Sequence, residues 1–98
     1  MNMQAMLKQA QAMQRDMINI KKEIDAKNFV GESSLVKITV KGTKEVIKVE
    51  ISDKENFEKD DLDMLEDMIL VALNDAFEKV DAETEKKMGK YSNIPGLF

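Results

Sequence analysis

The stretch MQAMLKQAQAMQRDMINIKKEIDAK, residues 3–27, contains no glycine, proline, cysteine or aromatic residue. Its apolar side chains recur at alternating steps of three and four, which is the spacing of the a and d positions in a heptad repeat. This pattern predicts one long helix over about residues 2–27. At about 1.5 Å per residue the helix would be roughly 38 Å long, so part of it should project beyond a small sheet or pair with another helix. The a and d positions are occupied by Met3, Met6, Ala10, Met13, Met17, Ile20 and Ile24.

This row of a and d side chains, named the seam below, has two interpretations. Its methionines are suited to an adaptable groove for varied ligands or to ordinary packing against a fixed partner helix. The uninterrupted heptad pattern favours packing. Since a chain of 98 residues has only a small core, self-association would increase the surface that it buries. We therefore expect a homodimer whose interface is formed by Met6, Ala10, Met13, Met17, Ile20 and Ile24.

The side of the predicted helix opposite the seam carries a row of cations, named the cation stripe below. Position f of the same heptads is occupied by Lys8, Arg15 and Lys22, which would lie about 10.5 Å apart along the helix axis. One interpretation is a solvated surface that keeps the helix soluble. The other is a set of contacts to nucleic-acid phosphates. The spacing by itself favours the solvated surface.

Residues 28–52 have the alternating pattern of a sheet. LVKITV (35–40) and EVIKVEI (45–51) each alternate apolar and polar side chains, and the segment 42–44 supplies a turn between them. The short piece Phe29-Val30 is a candidate first strand. The side chains of the last strand that should face the core are Ile47, Val49 and Ile51.

The polar side of this hairpin is rich in lysine. Lys37, Lys41 and Lys48 alternate with the apolar positions and should face water. Exposed lysines on strands usually prevent edge-to-edge pairing, so that role is favoured over ligand binding.

A second helix is predicted over residues 60–88. Asp60 or Asp61 would cap its start, where acidic side chains also complement the helix dipole. Gly89 should end the helix, and residues 89–98 should form an irregular tail whose last two side chains are available to dock on the core or on a partner. A broad apolar stripe can cover the sheet. It consists of Leu62, Leu65, Met68, Ile69, Ala72, Leu73, Ala76, Phe77 and Val80.

The charge of the chain is unevenly distributed along its length. The net charge of −4 argues against a nucleic-acid partner, because phosphate binding normally requires a basic patch or stripe. Residues 1–28, however, hold five basic and three acidic side chains, whereas residues 52–88 hold five lysines and thirteen acids. The chain therefore has a mildly basic front and a strongly acidic back.

The composition excludes several kinds of chemistry. With no cysteine there is no thiol nucleophile, and with no histidine the usual general base and the commonest metal ligand are missing. The acidic run at residues 60–63 lacks the glycine turn and the terminal glutamate of a calcium loop, so helix capping is favoured there. No apolar run approaches the length of a membrane span. We expect no catalytic residue, no metal site, no cofactor, no small-molecule substrate and no membrane partner.

Four segments together resemble the YbaB/EbfC family of bacterial nucleoid-associated proteins. They are LKQAQAMQRDM (7–17), LVKITVKGTKEVIKVEIS (35–52), DMLEDMILVALNDAFEKV (63–80) and PGLF (95–98), and they occur in order over nearly the whole chain. The resemblance implies an α+β fold with the order α-β-β-β-α, an intertwined tweezer-like homodimer, and binding of double-stranded DNA in the bacterial cytoplasm and nucleoid. The implied division of one domain, 1–98, is a helical arm at 1–27, a sheet at 28–52, a C-terminal helix at 60–88 and a tail at 89–98.

The resemblance also changes how the cation stripe is interpreted, since phosphate binding becomes the favoured role. Lys8, Gln9 and Gln11 match the polar part of the family's helical motif, and Arg15 and Lys22 extend it. The alternative is a dimeric protein–protein interaction module without a nucleic-acid ligand, which would use the seam or the acidic second helix. The residues expected to contact DNA are Lys8, Gln9, Gln11, Arg15, Lys22, Lys86 and Lys87.

Overall fold

The computed structural model describes residues 2–91. The predicted order of a long helix, three antiparallel strands and a C-terminal helix is confirmed. The tail segment 92–98, with its PGLF ending and its predicted docking side chains, lies outside the described residues. The elements are α1 (Met3–Ala26), β1 (Asn28–Ser33), β2 (Val36–Lys41), β3 (Val46–Ile51) and α2 (Leu62–Met88), with 3-10 turns at Lys54–Asn56, Lys59–Asp61 and Gly89–Tyr91.

Helix α1 packs on the rest of the chain only through its second half. It begins after Asn2, whose side chain accepts a hydrogen bond from the backbone nitrogen of Gln4 at 3.0 Å. Ile20 and Ile24 are buried in the core, whereas the first three turns project into solvent and leave Met3 76% exposed. The prediction that part of this helix would project is therefore confirmed for the single chain.

The sheet has the strand order β1-β2-β3, and α2 covers its first two strands. The central strand supplies the most deeply buried side chains, Val36, Ile38 and Val40. Opposite Ile38 lies Gly31 of β1. A Cβ atom at Gly31 would collide with backbone atoms of α2, so the absence of a side chain allows the helix to cross close to the strand.

Strand β3 is the part of the sheet that differs from expectation. Its register puts Val49 opposite Ile38 and Ile51 opposite Val36, which confirms that these side chains are on the core side. An irregularity in the β2–β3 pairing leaves Ile47 out of the ladder, and α2 packs on β1 and β2 rather than here. Ile47 and Val49 are therefore 42% and 49% exposed, so the expected burial of these two residues is wrong within one chain.

The start of α2 differs in detail from expectation, whereas its end is as predicted, since the α-helix stops at Met88 with Gly89 as its C-cap residue. Asp61 is the N-cap residue, but its side chain accepts a hydrogen bond from the backbone nitrogen of Glu58 at 2.9 Å and so closes the preceding 3-10 turn instead. At the other end, Gly89 keeps a right-handed helical φ of −57° and begins a further 3-10 turn. The helical path thus extends to Tyr91, which is buried.

The last turns of α2 run antiparallel to the second half of α1. Lys27 pairs with Glu83, and Asp16 pairs with Lys90, so residue numbers rise along one helix as they fall along the other. The result is an elongated molecule measuring 70 × 21 × 14 Å. Its radius of gyration is 19.6 Å, whereas a compact chain of this length would have about 13 Å.

Candidate nucleic-acid interface

The cation stripe lies on the exposed side of α1. Lys8, Arg15 and Lys22 are all exposed, and the buried side of the same helix faces the core. Gln11 lies three residues after Lys8 and four before Arg15, so it belongs to the same side of the helix. Gln9 is rotated about 100° from Lys8 and lies at the edge of the seam. The helix therefore brings four of the five expected arm residues together and places Gln9 apart from them.

The three cations of the stripe form no ion pair with an acid among residues 2–91. Lys8 and Arg15 have no acidic residue three or four positions away on their helix, where side-chain pairs form. Within residues 2–91, none of the five expected cationic DNA contacts forms an ion pair, whereas seven other lysines do. The paired lysines are Lys21, Lys27, Lys37, Lys44, Lys48, Lys79 and Lys90.

The two expected contacts at the end of α2 belong to a second cationic group. Lys86 and Lys87 surround Glu83, whose carboxylate accepts a hydrogen bond from Lys27 Nζ at 2.7 Å. This bond is the main reason why the pKa of Glu83 lies below its usual range, and the fields of Lys87 and Lys86 lower it further. Lys27, which directly follows α1, and Lys86 and Lys87 of α2 thus share the single acid Glu83.

Lys27 is a cation of this group that sequence reasoning missed. Its ammonium lies 5.7 Å from the ring centroid of Phe29, close enough for a cation–π contact, and it pairs with an acid 56 positions away. No local pattern signals a pair so distant in sequence. A surface cavity of about 370 Å³ lies beside the group and is lined by Lys27, Phe29, Lys79, Ala82, Glu83 and Lys86.

A hydrogen-bonded cluster, named the clamp below, ties α1 to the end of α2. The Tyr91 hydroxyl donates a hydrogen bond to Asp16 Oδ2, and Lys90 Nζ lies 2.8 Å from the same oxygen. The bond from Lys90, and then that from Tyr91, hold the pKa of Asp16 below its usual range, while the bond to Asp16 raises the pKa of Tyr91. Because Asp16 adjoins Arg15 in the chain, the clamp helps to set which side of α1 faces solvent.

One part of the seam packs against the chain's own core, and the other part is exposed to solvent. Ile20 and Ile24 are 8% and 6% exposed, so they have little surface left to offer a partner. Met13 and Met17 are half-buried against the same core. Farther along the arm the side chains are exposed, and Met6, Leu7 and Ala10 belong to this uncovered part. The expected dimer contacts at Met6 and Ala10 stay predictions.

Residues 2–91 contain neither a metal-binding cluster nor a membrane-spanning helix. No group of three or more acidic, histidine or cysteine side chains in this part of the chain is arranged to hold a metal ion. None of the described helices is long and apolar enough to cross a membrane. Among the described residues, the two groups of cations are therefore the candidate binding surfaces.

Comparison with known proteins identifies the family. The sequence profile of the YbaB/EbfC DNA-binding family matches residues 1–94. The chain belongs to this family. A nucleoid-associated protein of Ligilactobacillus salivarius is 46% identical over 99 residues, which cover 99% of this chain and 95% of that protein. One from Enterococcus faecalis is 39% identical, with 98% and 94% covered. The resemblance found in the sequence is confirmed.

A solved structure shows the same fold. The crystal structure of an uncharacterized protein from Helicobacter pylori superposes with a TM-score of 0.73 and covers 92% of this chain and 96% of that one. At 15% sequence identity the likeness concerns the fold alone.

Proposed function

We propose that this protein is a non-enzymatic, nucleoid-associated protein that binds double-stranded DNA as a homodimer, mainly through contacts between its helical arms and the phosphates. Its place would be the bacterial cytoplasm and nucleoid. Membership of a DNA-binding family and relatives named nucleoid-associated proteins support this proposal. The observation that carries it is the exposed cation stripe of Lys8, Arg15 and Lys22, whose charges have no ion-pair partner among residues 2–91.

The negative net charge is compatible with this role because of where the acids lie. Thirteen of the nineteen acidic residues fall within 52–88, away from the projecting part of α1. Cations on the arm can therefore approach phosphates while the acidic part of the molecule stays outside the contact. Phosphate contacts carry little sequence information, and Gln11 is the stripe residue best suited to add a hydrogen bond to a phosphate or a base edge.

Two surfaces of the single chain support the homodimer. The accessible surface is 7460 Å², about 1,800 Å² more than a compact monomer of this mass would have. A standard interface removes about 800 Å² from each partner. Exposed apolar side chains occur on the arm, at Met3, Met6 and Leu7, and on β3, at Val46, Ile47 and Val49. We infer that a second copy covers both surfaces, and that on β3 it covers the side that carries Val49 and not the side that carries Lys48.

The proposal predicts a steep dependence of DNA affinity on salt. If each protomer places three or four cations on phosphates, a dimer neutralises six to eight, and the arms alone give a slope of about −5 to −7 in a plot of log affinity against log salt. Fluorescence anisotropy of a labelled 30-base-pair duplex, titrated at several salt concentrations, measures this slope.

A matched pair of variants tests whether the cation stripe causes this salt dependence. Lys8→Gln, Arg15→Gln and Lys22→Gln together should make the slope less steep by about five and lower the affinity at least hundredfold at moderate salt. Lys21→Gln, Lys44→Gln and Lys79→Gln remove the same charge from lysines that are already ion-paired, and should change the slope by less than about one. An unchanged affinity in a folded, dimeric stripe variant would contradict the proposed contact surface.

The protein-interaction module is the second candidate, and one feature of α2 favours it. Leu70 and Val71 are more than half exposed and lie among acidic side chains such as Asp67 and Glu78. If this surface binds another protein and DNA is not a ligand, Leu70→Ser with Val71→Ser would abolish that interaction while the stripe variant would have no effect. A wild-type protein with no salt-dependent duplex binding would favour this candidate.

A further inference from the structure

The side of the sheet that faces away from α2 carries a second group of cations. Lys37 of β2 and Lys48 of β3 project from this side, and Lys54 follows in the first 3-10 turn. These three lysines border a surface cavity of about 470 Å³. The remaining lining residues are Val49, Glu50, Ile51 and Ser52.

Glu50 is the one acid that lines this cavity, whereas three lysines line it. Its carboxylate pairs with Lys48 Nζ at 3.0 Å, and the hydrogen bond from Lys48 is the main cause of its lowered pKa. The charges of Lys37 and Lys54 lower the same pKa, so both ammonium groups act on this position. The cavity lining therefore holds three cations and one acid, and Glu32, which pairs with Lys37 at 3.8 Å, lies outside the lining.

Two of these cations are held weakly or not at all by acids of the described chain. Lys54 has no ion-pair partner among the described residues, and the nearest acid to Lys37 within the ion-pair range is Glu32, at the long distance of 3.8 Å. The Ser52 hydroxyl on the rim adds a hydrogen-bond donor. A phosphate prefers this combination of ammonium groups and a hydroxyl.

The cavity lies far from the tip of the arm. The end of β2 near Gly42 touches Ile24 in α1, whereas Lys37 lies at the start of β2, at the opposite end of the sheet. Helix α1 then extends away from the sheet, with Lys8 in its projecting part. The two groups of cations therefore occupy different ends of a molecule that is 70 Å long.

We propose that this cavity, named the sheet site, is a second phosphate-binding site for duplex DNA. The inference rests on the proposed function, because it assumes a duplex already held by the arm. Lys37 and Lys54 bind the oxygens of a backbone phosphate, and Lys48 remains paired with Glu50. A protein that holds the duplex through both the arm and the sheet site neutralises more phosphates than one that uses the arm alone. The sheet site therefore adds affinity and salt dependence without adding sequence preference.

A matched pair of double variants tests the sheet site. Lys37→Gln with Lys54→Gln removes four cations from a dimer, so it should lower affinity for a labelled 30-base-pair duplex at least tenfold and make the salt slope less steep by about three to four. Lys44→Gln with Lys79→Gln removes the same charge from lysines that pair with acids of α2, and should leave both quantities near the wild-type values. Equal affinity and slope in the two variants would overturn the proposal, provided that circular dichroism shows both to be folded.

Nuclear magnetic resonance tests whether the sheet site binds a backbone phosphate of duplex DNA or free inorganic phosphate. The backbone amide signals of Glu50 and Ser52 should shift at micromolar concentrations of duplex and only at millimolar concentrations of inorganic phosphate. Shifts with micromolar inorganic phosphate but not with duplex would reveal a small-anion site, and no shift with either would show no site, so both outcomes overturn the proposal.

The same measurements separate this inference from the proposed function. A wild-type protein that binds no duplex refutes the proposed function. Duplex binding that depends on the cation stripe but not on Lys37 and Lys54 refutes the sheet site alone.

Discussion

At the scale of single residues, the arm is oriented by a cluster of groups that lies outside the cation stripe. Asp16 accepts hydrogen bonds from Lys90 and Tyr91 and thereby joins α1 to the end of α2. Tyr91 is buried beneath this contact, so its hydroxyl depends on Asp16 for a partner. These residues act on the stripe by positioning it.

Loss of the clamp should therefore weaken DNA binding indirectly. Tyr91→Phe keeps the ring and removes the hydroxyl, so we expect a lower melting temperature and a several-fold loss of duplex affinity with an unchanged salt slope. Asp25→Asn, which breaks an exposed pair with Lys21 within α1, is the matched control and should change neither quantity much. A changed slope in Tyr91→Phe would instead indicate that the clamp itself contacts phosphate.

The clamp also predicts a dependence of stability on pH. The pKa of Asp16 is lowered in the folded chain, so its contribution is present above the pKa of the unfolded chain, about 3.9, and is lost as pH falls through the lower folded value. The difference in melting temperature between the wild type and Asp16→Asn should therefore be largest near neutral pH and shrink below about pH 4. A difference that stays constant from pH 7 to pH 3 would contradict this account.

Two glycines give a direct test of helix–sheet packing. Gly31→Ala would push a Cβ into the backbone of α2, so we expect a loss of about 2 kcal/mol or more in the free energy of unfolding. A Cβ at Gly89 would meet no atom within 4 Å, and its φ suits alanine, so Gly89→Ala should be neutral or stabilising by up to about 1 kcal/mol. Chemical denaturation measures both, and equal stabilities would show that α2 does not cross β1 closely.

At the scale of elements, α1 is one helix with two environments. Its second half packs on the core, its first half presents the seam to solvent, and the cation stripe runs along the exposed side of both halves. Similarly, β3 belongs to the sheet but lacks a covering helix. Both features place apolar surface where a second chain can reach it.

Charges introduced in the two halves of α1 should therefore have different effects. Ile20→Asp buries a charge in the core and should cost several kcal/mol of stability, whereas Met6→Asp should leave the melting of the single chain almost unchanged and promote dissociation of the dimer. Circular dichroism reports the fold and light scattering the mass. A dimeric Met6→Asp variant would show that this part of the seam is not in the interface.

At the scale of the whole molecule, the elongated shape is the property that supports the proposed homodimer. A chain of 11.2 kDa with a radius of gyration of 19.6 Å has much surface for its volume, so the single chain buries little apolar area for its size. The distribution of charge follows the same axis, with the stripe along the exposed side of α1 and most acids in the part of the chain that follows the sheet.

Light scattering at micromolar concentration should accordingly give about twice the mass of one chain. Because apolar burial rather than charge would hold the dimer, its mass should not change between low and high salt, even though DNA affinity falls steeply. A stable monomer at micromolar concentration would contradict the homodimer and would leave the surface of Val46, Ile47 and Val49 without an explanation.

Local periodicity in the sequence was sufficient to predict the helices, the two strands of the hairpin and the exposed side of the arm, whereas the first strand was only a candidate until the resemblance implied three strands. A heptad determines which side of α1 carries Lys8, Arg15 and Lys22, and alternation determines which side of β3 carries Val49, because backbone geometry repeats over a few residues. The sequence resemblance also identified the family, which the comparisons confirm.

The burial of those side chains and their contacts with distant segments were decided by the tertiary structure alone. The burial of Ile20 against the exposure of Val49, the clamp on Asp16 and the grouping of Lys27 with Lys86 all join segments that are distant in the chain. Such contacts depend on how the helices cross the sheet and where each one ends. A periodic pattern states which side of an element is apolar, but the packing of the elements determines how much of that side is covered.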